Sequence, residues 1–332
     1  MSTASMWTYT VAGPGTIAET RVPRPTAADL GDGQVLLRVM VGGICGSDLP
    51  FFRGLLMPHG VVPAEGGPAE PRLGSPLHEV VGEVVASQGA DLAVGALVVG
   101  WATLLDGMQE YLVVDAVDVF EYSSELAPSV AIMLQPLACV IHAVDVLREV
   151  PGSHVAVIGV GSIGVLFAHV LKSAGAARVT AIDRIDRSDI AAIYGIDEMV
   201  HSTSDRWAAG VSGGADRPGI VVEAVGHQVG TLVDATRTIA EGGQIYYFGI
   251  PDDPIYPFPM LDFLRVHGRL YSGYTPSSAR RSALRRAEEY LRAHPEIVAP
   301  YITDSFEFSR AQDAFAKANT PARGQLKVIL EA

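Results

Sequence analysis

The hexapeptide GVGSIG at residues 159–164 constrains the fold of this chain more than any other feature, because its three glycines are typical of a tight turn between a strand and a helix. It follows the apolar run VAVI at residues 155–158 and opens a segment with helical spacing of apolar residues. In a G-x-G-x-x-G turn the first glycine permits the tight turn, the second lets a pyrophosphate approach the backbone, and the third lets the helix pack on the strand. The hexapeptide therefore predicts a dinucleotide site, with candidate contacts at Gly159, Gly161, Ser162, Ile163 and Gly164.

A carboxylate follows the next predicted strand, RVTAID at residues 178–183. Asp183 lies 19 residues after Gly164, where its side chain can accept hydrogen bonds from ribose hydroxyls and repel a 2′-phosphate. We therefore expect NAD(H) to be preferred over NADP(H), although Arg184 could pair with a 2′-phosphate and weaken that preference. Gly226 and Gly249, which end the apolar runs IVVEAVG and QIYYFG, are further candidates for cofactor contacts.

The chain divides into two kinds of sequence. Residues up to about 125 contain short runs rich in valine and leucine that glycine and proline separate, which is typical of a β-rich module. From residue 155 strands alternate with helices, which predicts a parallel sheet with right-handed crossovers. We predict an α/β protein in which a Rossmann doubly wound domain, residues 131–274, is inserted into a β-rich domain made of residues 1–130 and 275–332. We also expect a short helix around residues 188–194 and an amphipathic helix over residues 279–293.

Composition and charge exclude several classes of protein. Of the 332 residues, 48% are apolar and 18% are charged, so the chain can bury sizeable cores and is not disordered. The formal net charge of −13 repels phosphate backbones, so we expect no nucleic-acid partner. The N-terminal residues do not resemble a signal peptide, and polar residues interrupt the longest apolar stretch, residues 129–147. We therefore expect a cytoplasmic protein without a membrane partner.

A second constellation lies in the β-rich part. Cys45 begins a Cys-Gly-Ser-Asp sequence, and His78-Glu79 follows 33 residues later. Thiolate, imidazole and carboxylate are ligands that zinc takes, and a catalytic zinc keeps one position open for water or substrate. Taken singly, Cys45 could be a small buried side chain and His78 a hydrogen-bonded core histidine. Their joint occurrence favours a metal site.

At these residues the chain resembles the zinc-type medium-chain dehydrogenase/reductase superfamily, near its sorbitol and threonine dehydrogenases. The matching segments occur in family order over nearly the whole chain: GGICGSD (42–48), HEVVGEVV (78–85), QPLACVIHA (135–143), VIGVGSIG (157–164), FGIP (248–251) and GQLKVIL (324–330). The resemblance implies a GroES-like catalytic domain around the Rossmann domain and one catalytic zinc per chain. It also implies a small-molecule alcohol or ketone substrate and a homodimer or homotetramer.

The resemblance implies a role for each residue of the second constellation. Cys45 and His78 would ligate zinc, and Glu79 would be a ligand or a close partner of the metal. Ser47 would pass the proton of the alcohol toward solvent, and Asp48 would orient the His78 imidazole, as carboxylates behind metal-bound histidines usually do.

The chain departs from the family pattern at three places. The structural-zinc lobe with its four cysteines is absent, since only WATLLDGMQE separates Gly100 from Tyr111. Leu77 stands before His78 where the family has glycine. Gln135 stands where relatives carry Glu, Asp or Cys, and a neutral amide oxygen is a poorer zinc ligand than a carboxylate. Gln135 could bind the metal directly or through a water.

Three hypotheses about function remain open. The first is a zinc-dependent NAD(H) oxidoreductase that interconverts a secondary alcohol or polyol and its ketone by hydride transfer. The second is a metal-free NAD(P)H-dependent carbonyl or enone reductase of the same fold, which Gln135 favours. The third is a non-catalytic dinucleotide-binding protein, which would bind NAD without oxidising any alcohol.

Overall fold

The structure, a computed structural model, describes residues 4–55, 72–211 and 216–332. The chain forms two compact units. The first consists of Met1–Ala138, Pro276–Pro321 and Lys327–Ala332, and the second of Cys139–Thr275 and Ala322–Leu326. The short segment Ala322–Leu326 therefore belongs to the second unit, although the chain on both sides of it belongs to the first.

The strands of the described residues lie in both units. In chain order they are β1 (Ser5–Gly13), β2 (Thr16–Pro23), β3 (Gln34–Ile44), β4 (Glu79–Gln88), β5 (Leu97–Trp101), β6 (Tyr111–Asp115), β7 (Val119–Glu121), β8 (His154–Ile158), β9 (Arg178–Asp183), β10 (Glu198–His201), β11 (Ile220–Glu223), β12 (Gln244–Tyr247), β13 (Arg269–Ser272), β14 (Ile302–Glu307) and β15 (Lys327–Glu331).

The helices of the described residues are, in chain order, α1 (Leu49–Phe52), α2 (Pro128–Ala131), α3 (Leu134–Val144), α4 (Ser162–Ser173), α5 (Ser204–Val211), α6 (Gly230–Thr238), α7 (Met260–Arg265), α8 (Ser277–Ala293) and α9 (Ala311–Ala318). Among these described helices, none is long and apolar enough to cross a membrane.

The first unit is built on a mostly antiparallel sheet. Its strand order is β14-β15-β3-β4-β5-β7. β6 pairs with residues 34–38 of β3, whereas β15 pairs with residues 41–44 of that strand. β1 and β2 form a separate hairpin. Valine and leucine are frequent in β3 and valine is frequent in β4, and the inward-facing side chains Val35, Leu37 and Val80 are completely buried. Because β-branched and leucine side chains pack well on a pleated surface, this composition favours strands over helix.

The second unit is a parallel sheet of the order β10-β9-β8-β11-β12-β13. Numbered from β8, this is the order 3-2-1-4-5-6 of a doubly wound dinucleotide-binding fold, and it reverses between β8 and β11. Strands covered on both faces consist of continuous apolar runs, and β8, with the sequence HVAVI, is buried after its first residue. The predicted α/β fold is thus confirmed.

One predicted element is wrong. Residues 188–194 form a series of turns instead of the expected helix. Most of their hydrogen bonds join residues three apart, such as Ile190 N–H to Arg187 O and Ile193 N–H to Ile190 O, and Tyr194 N–H to Ile190 O has the spacing of four that a helix would repeat. Gly195, with a φ of 67°, then ends the segment in the left-handed region. The apolar spacing that suggested a helix places Tyr194 in the core without a continuous helical ladder.

Candidate metal centre and dinucleotide site

Strand pairing brings the two halves of the Cys45 constellation together. β3 and β4 are antiparallel neighbours, with Gly43 opposite Glu79. Cys45 follows the last residue of β3, and His78 precedes the first residue of β4, so both lie at the same end of the sheet. Cys45 and His78 are therefore 33 positions apart in the sequence but close in space.

Asp48 ties Cys45 and His78 to each other. It ends a single 3₁₀ turn, Gly46–Asp48, and is completely buried. One carboxylate oxygen accepts the backbone N–H of Cys45 at 2.8 Å, and the other lies 2.9 Å from His78 Nδ1. Because an ionised carboxylate only accepts hydrogen bonds, His78 Nδ1 carries the proton and Nε2 is left as its ligand atom. Ser47, half-buried, lies inside the same turn.

The charges around His78 act on its titration. Burial alone would lower the pKa of His78, but the Asp48 carboxylate and the Cys45 thiol beside it raise that pKa well above its ordinary value. The surroundings of the imidazole therefore favour a positive charge at this position. The same carboxylate and thiol would also stabilise a divalent cation bound next to His78.

The third candidate ligand, Glu79, also forms an ion pair with Lys327, a residue that the sequence analysis did not single out. Lys327 Nζ, at the start of β15, donates to Glu79 Oε1 at 2.6 Å, and both side chains are about 1% exposed. Gly43 makes room for this pair, since a Cβ there would lie 2.3 Å from Glu79 Oε2 and 3.1 Å from Lys327 Cε. The available signal was a lysine in the otherwise apolar strand KVIL, because a buried ammonium requires a partner.

These residues fit a zinc ion. One ligand atom from each of Cys45, His78 and Glu79 lies within 4.8 Å of the others. Glu79 Oε2 is buried and has no hydrogen-bond partner among the described residues, so it is available to a cation. Zinc ligands lie about 2.0–2.3 Å from the metal, so ligand atoms as much as 4.8 Å apart would move closer together to share one ion. Gln135 is buried in the first turn of α3, and its membership of the ligand set stays a prediction.

In the second unit the glycine hexapeptide forms the predicted turn between β8 and α4. Gly159 has a φ of 90°, and Gly164 lies against it so closely that a Cβ would meet Gly159 O at 1.8 Å. Gly161 precedes the first residue of α4, and none of the described residues has a heavy atom within 4 Å of the position that a Cβ on Gly161 would take. Ser162 and Ile163 begin the helix, whose N-terminal N–H groups and dipole favour an anion. The open side of Gly161 is a suitable approach for a pyrophosphate.

Asp183 lies at the end of β9, as predicted, and it also organises the hexapeptide. Its carboxylate accepts the N–H of Val160 at 2.6 Å and the N–H of Ile185 at 2.8 Å. Arg184 is exposed. Arg187, which the sequence did not single out, is 3% exposed and donates to the carbonyls of Ala322 and Gln325 at 2.9 and 2.6 Å.

Gly226 and Gly249 lie in direct contact at the carboxyl ends of β11 and β12. A Cβ on Gly249 would lie 2.1 Å from Gly226 N, and one on Gly226 would lie 2.6 Å from Ile250 N. The two turns can approach this closely only because both residues are glycine. The strand order reverses between β8 and β11, so Gly226 borders the position at which doubly wound sheets bind ligands, and Gly249 follows the next strand along.

Comparison with known families agrees with this architecture. Residues 31–124 match the alcohol dehydrogenase GroES-like domain, and residues 159–289 match the zinc-binding dehydrogenase family. The first match covers the candidate ligands Cys45, His78 and Glu79, and the second covers the glycine hexapeptide and the strands that follow it.

The individual relatives share less than a third of their aligned residues with this chain. The chain is 28% identical to D-arabinitol dehydrogenase 1 of Uromyces fabae over 256 residues, which are 66% of this chain and 69% of that protein. It is 28% identical to L-threonine 3-dehydrogenase of Deinococcus deserti over 295 residues, 76% of this chain and 80% of that protein.

A solved structure shows the same fold over the whole length. A zinc-binding dehydrogenase from Sinorhizobium meliloti 1021, bound to NADP, superposes with a TM-score of 0.78 at 22% identity and covers 99% of this chain and 100% of its own. With its GroES-like part, its Rossmann-like sheet and both family matches, the chain belongs to the zinc-type medium-chain dehydrogenase/reductase superfamily.

Proposed function

We propose that this protein is a zinc-dependent NAD(H) dehydrogenase that interconverts a secondary alcohol or polyol and its ketone. The relatives named above, an arabinitol and a threonine dehydrogenase, act on compounds of this kind by name, which supports a dehydrogenase acting on a small alcohol or ketone. The choice of zinc, of NAD(H) and of a secondary alcohol rests on the residues of this chain.

The observation that carries the proposal is the arrangement around Asp48. This buried carboxylate fixes the backbone of Cys45 and the imidazole of His78 at once. The same site holds Glu79, one of whose carboxylate oxygens has no hydrogen-bond partner within the part of the chain that the structure describes. A thiol, an oriented imidazole and an unsatisfied carboxylate within 4.8 Å form a donor set suited to zinc.

The residues of the chain would divide the work as follows. Cys45, His78 and Glu79, with Gln135 as a weaker or water-bridged fourth, would hold the zinc, which when bound supplies Lewis acidity toward an alcohol or carbonyl oxygen. Asp48 keeps the proton on His78 Nδ1 and so fixes the ligand tautomer. Ser47, in the same turn, offers a hydroxyl that can pass a proton toward solvent.

The cofactor would bind at the carboxyl edge of the parallel sheet. Gly161 and the first residues of α4 would receive the pyrophosphate, and NAD supplies the hydride acceptor. Asp183 would accept hydrogen bonds from the ribose hydroxyls and disfavour a 2′-phosphate, with exposed Arg184 opposing that preference.

Replacing Asp183 with alanine should weaken NADH binding and reduce the preference of the protein for NADH over NADPH. A wild-type protein that prefers NADPH would show that this interpretation of Asp183 is wrong.

One observation favours a second candidate, a metal-free carbonyl or enone reductase. Lys327 already neutralises the charge of Glu79, and Gln135 is neutral. Without a metal, Lys327 and Glu79 would form a self-contained buried ion pair. This candidate leaves the orientation of Cys45 and His78 by Asp48 unexplained.

Metal analysis of purified protein separates the two candidates. We expect about one zinc per chain after reconstitution, and loss of both zinc and alcohol oxidation in Cys45→Ala. NADH binding should be nearly unchanged, because Cys45 lies in the other unit. Cys139→Ala, which removes the other cysteine, is the matched control and should retain zinc. Turnover that survives Cys45→Ala would refute zinc chemistry and favour the metal-free reductase.

A further inference from the structure

Glu223 is a buried carboxylate that the proposed reaction does not use. It is the last residue of β11 and is completely shielded from solvent. Burying a carboxylate costs free energy unless hydrogen bonds compensate it. Here the Thr231 hydroxyl and backbone N–H groups supply the compensation, and Glu223 Oε1 accepts the N–H of Gly226 at 3.0 Å and that of Val225 at 3.2 Å.

The same residue also holds the turn after the neighbouring strand. Glu223 O accepts the N–H of Phe248 at 2.9 Å and that of Gly249 at 3.3 Å. Its carboxylate lies beside Gly249 as well, since a Cβ on that glycine would be 2.8 Å from Glu223 Oε2. Glu223 thus connects residues 224–226, the β11 loop, with residues 248–250, the β12 loop.

The glycine hexapeptide packs on the same β11 loop. A Cβ on Gly159 would lie 2.5 Å from Val225 Cγ2 and 3.2 Å from Val225 N. Ala224 N–H donates to Ile158 O at 2.9 Å, which continues the pairing of β11 with β8. The β11 loop therefore lies between the hexapeptide and the β12 loop, and the carboxylate of Glu223 determines its shape.

We propose that Glu223 is a positioning residue for the dinucleotide, which holds the β11 and β12 loops in the conformation that binds the cofactor. The inference rests on the proposed cofactor site, because Gly226 and Gly249 are its candidate contacts. The turns must stand ready at the edge of the sheet before the cofactor arrives, since ordering them afterwards would cost part of the binding free energy.

The isosteric variant Glu223→Gln tests this role. A carboxamide has one acceptor oxygen and presents an NH₂ group to the backbone N–H groups, so at least one charge-assisted hydrogen bond is lost. We expect NADH, titrated by its fluorescence, to bind about tenfold to hundredfold more weakly at full stoichiometry. Glu241→Gln, the same change at an exposed residue of the same unit, should bind NADH like the wild type.

The pH profile of NADH binding separates positioning from a general structural role. Burial raises the pKa of Glu223 above its ordinary value, although the Thr231 hydroxyl and the N–H groups of Gly226 and Val225 oppose the shift. As the pH falls, protonation of Glu223 should begin at a higher pH than for an ordinary glutamate and should weaken NADH binding by the wild type toward the level of Glu223→Gln. The groups that titrate nearby, the His227–Asp252 pair and the phenols of Tyr247 and Tyr256, are common to both proteins.

Each result is decisive. Weaker binding by Glu223→Gln with a profile that converges on the wild type at low pH supports the proposal. Equal affinity, or two parallel profiles, would overturn it while leaving the proposed function intact. If Glu223→Gln does not fold, Glu223→Asp keeps the charge but withdraws both oxygens, and unchanged NADH affinity in that variant overturns the proposal. A wild-type protein that binds neither NADH nor NADPH would overturn the proposed function and this inference together.

Discussion

Gly161 offers a substitution that should impair cofactor binding without harming the fold. Its φ of −78° and ψ of −164° are ordinary for alanine, and an added Cβ would meet no heavy atom of residues 4–55, 72–211 and 216–332 within 4 Å. Alanine restricts the unfolded chain but is a poorer helix-capping residue than glycine, so the two effects oppose each other. We expect the free energy of unfolding to change by less than about 1 kcal/mol, a shift in Tm of about 2–4 °C at most.

The effect on binding should be much larger. The empty space beside Gly161 is where a pyrophosphate would approach the N-terminus of α4. A methyl group there would hold the phosphates away from the backbone N–H groups. Losing one charge-assisted hydrogen bond costs about 1.5–3 kcal/mol, so NADH should bind about 10- to 150-fold more weakly.

Two glycines of the same unit provide controls. Gly210, exposed in α5, also has open space around its Cβ position, so Gly210→Ala should leave NADH binding unchanged. Gly164→Ala should destabilise the fold itself, because its Cβ would lie 1.8 Å from Gly159 O. NADH fluorescence titration and thermal denaturation measure both effects. Wild-type NADH affinity in Gly161→Ala would refute the assignment of the pyrophosphate to this turn.

Two further predictions concern charges in each unit. Lys327→Met leaves Glu79 buried without its lysine partner, so the metal-free protein should lose about 3–5 kcal/mol of unfolding free energy. Added zinc should restore part of that loss. Equal losses with and without zinc in thermal denaturation would contradict a metal at Glu79. Burial alone would raise the pKa of Asp197, but Lys172 and the Val179 N–H lower it. The stabilisation by Asp197 is therefore present above about pH 4 and is lost as the pH falls through the lowered pKa. Asp197→Asn should reduce the free energy of unfolding by about 1 kcal/mol at pH 7 and leave it unchanged in strong acid. Urea unfolding at both pH values measures the difference.

The sequence was most informative where local chemistry permits one conformation. The hexapeptide predicted the turn between β8 and α4 because Gly159 needs a positive φ and Gly164 tolerates no side chain. Asp183 could be placed at the end of β9 because an apolar run ends at that residue. These inferences need only neighbours along the chain, so one sequence is enough to make them.

Residues whose partners are distant in sequence were not predictable in this way. Nothing near Lys327 in the chain shows that it contacts Glu79, 248 residues earlier, because that contact arises from the pairing of β15 with β3 and of β3 with β4. Glu223 was passed over inside an apolar run, although a lone carboxylate there must find buried donors. Its donors are the Thr231 hydroxyl and backbone N–H groups, and the backbone groups leave no trace in the sequence.

The way each buried carboxylate is compensated distinguishes the metal centre from its surroundings. Both oxygens of Asp48 are engaged, one by His78 and one by the Cys45 N–H, and those of Glu223 accept backbone N–H groups. Glu79 differs, because Lys327 occupies Oε1 while Oε2 remains without a donor among the described residues. A buried oxygen in that condition costs free energy in the metal-free protein. Since the nearby ligand atoms are a thiol and an imidazole, a cation shared by all three is the simplest means of removing that cost.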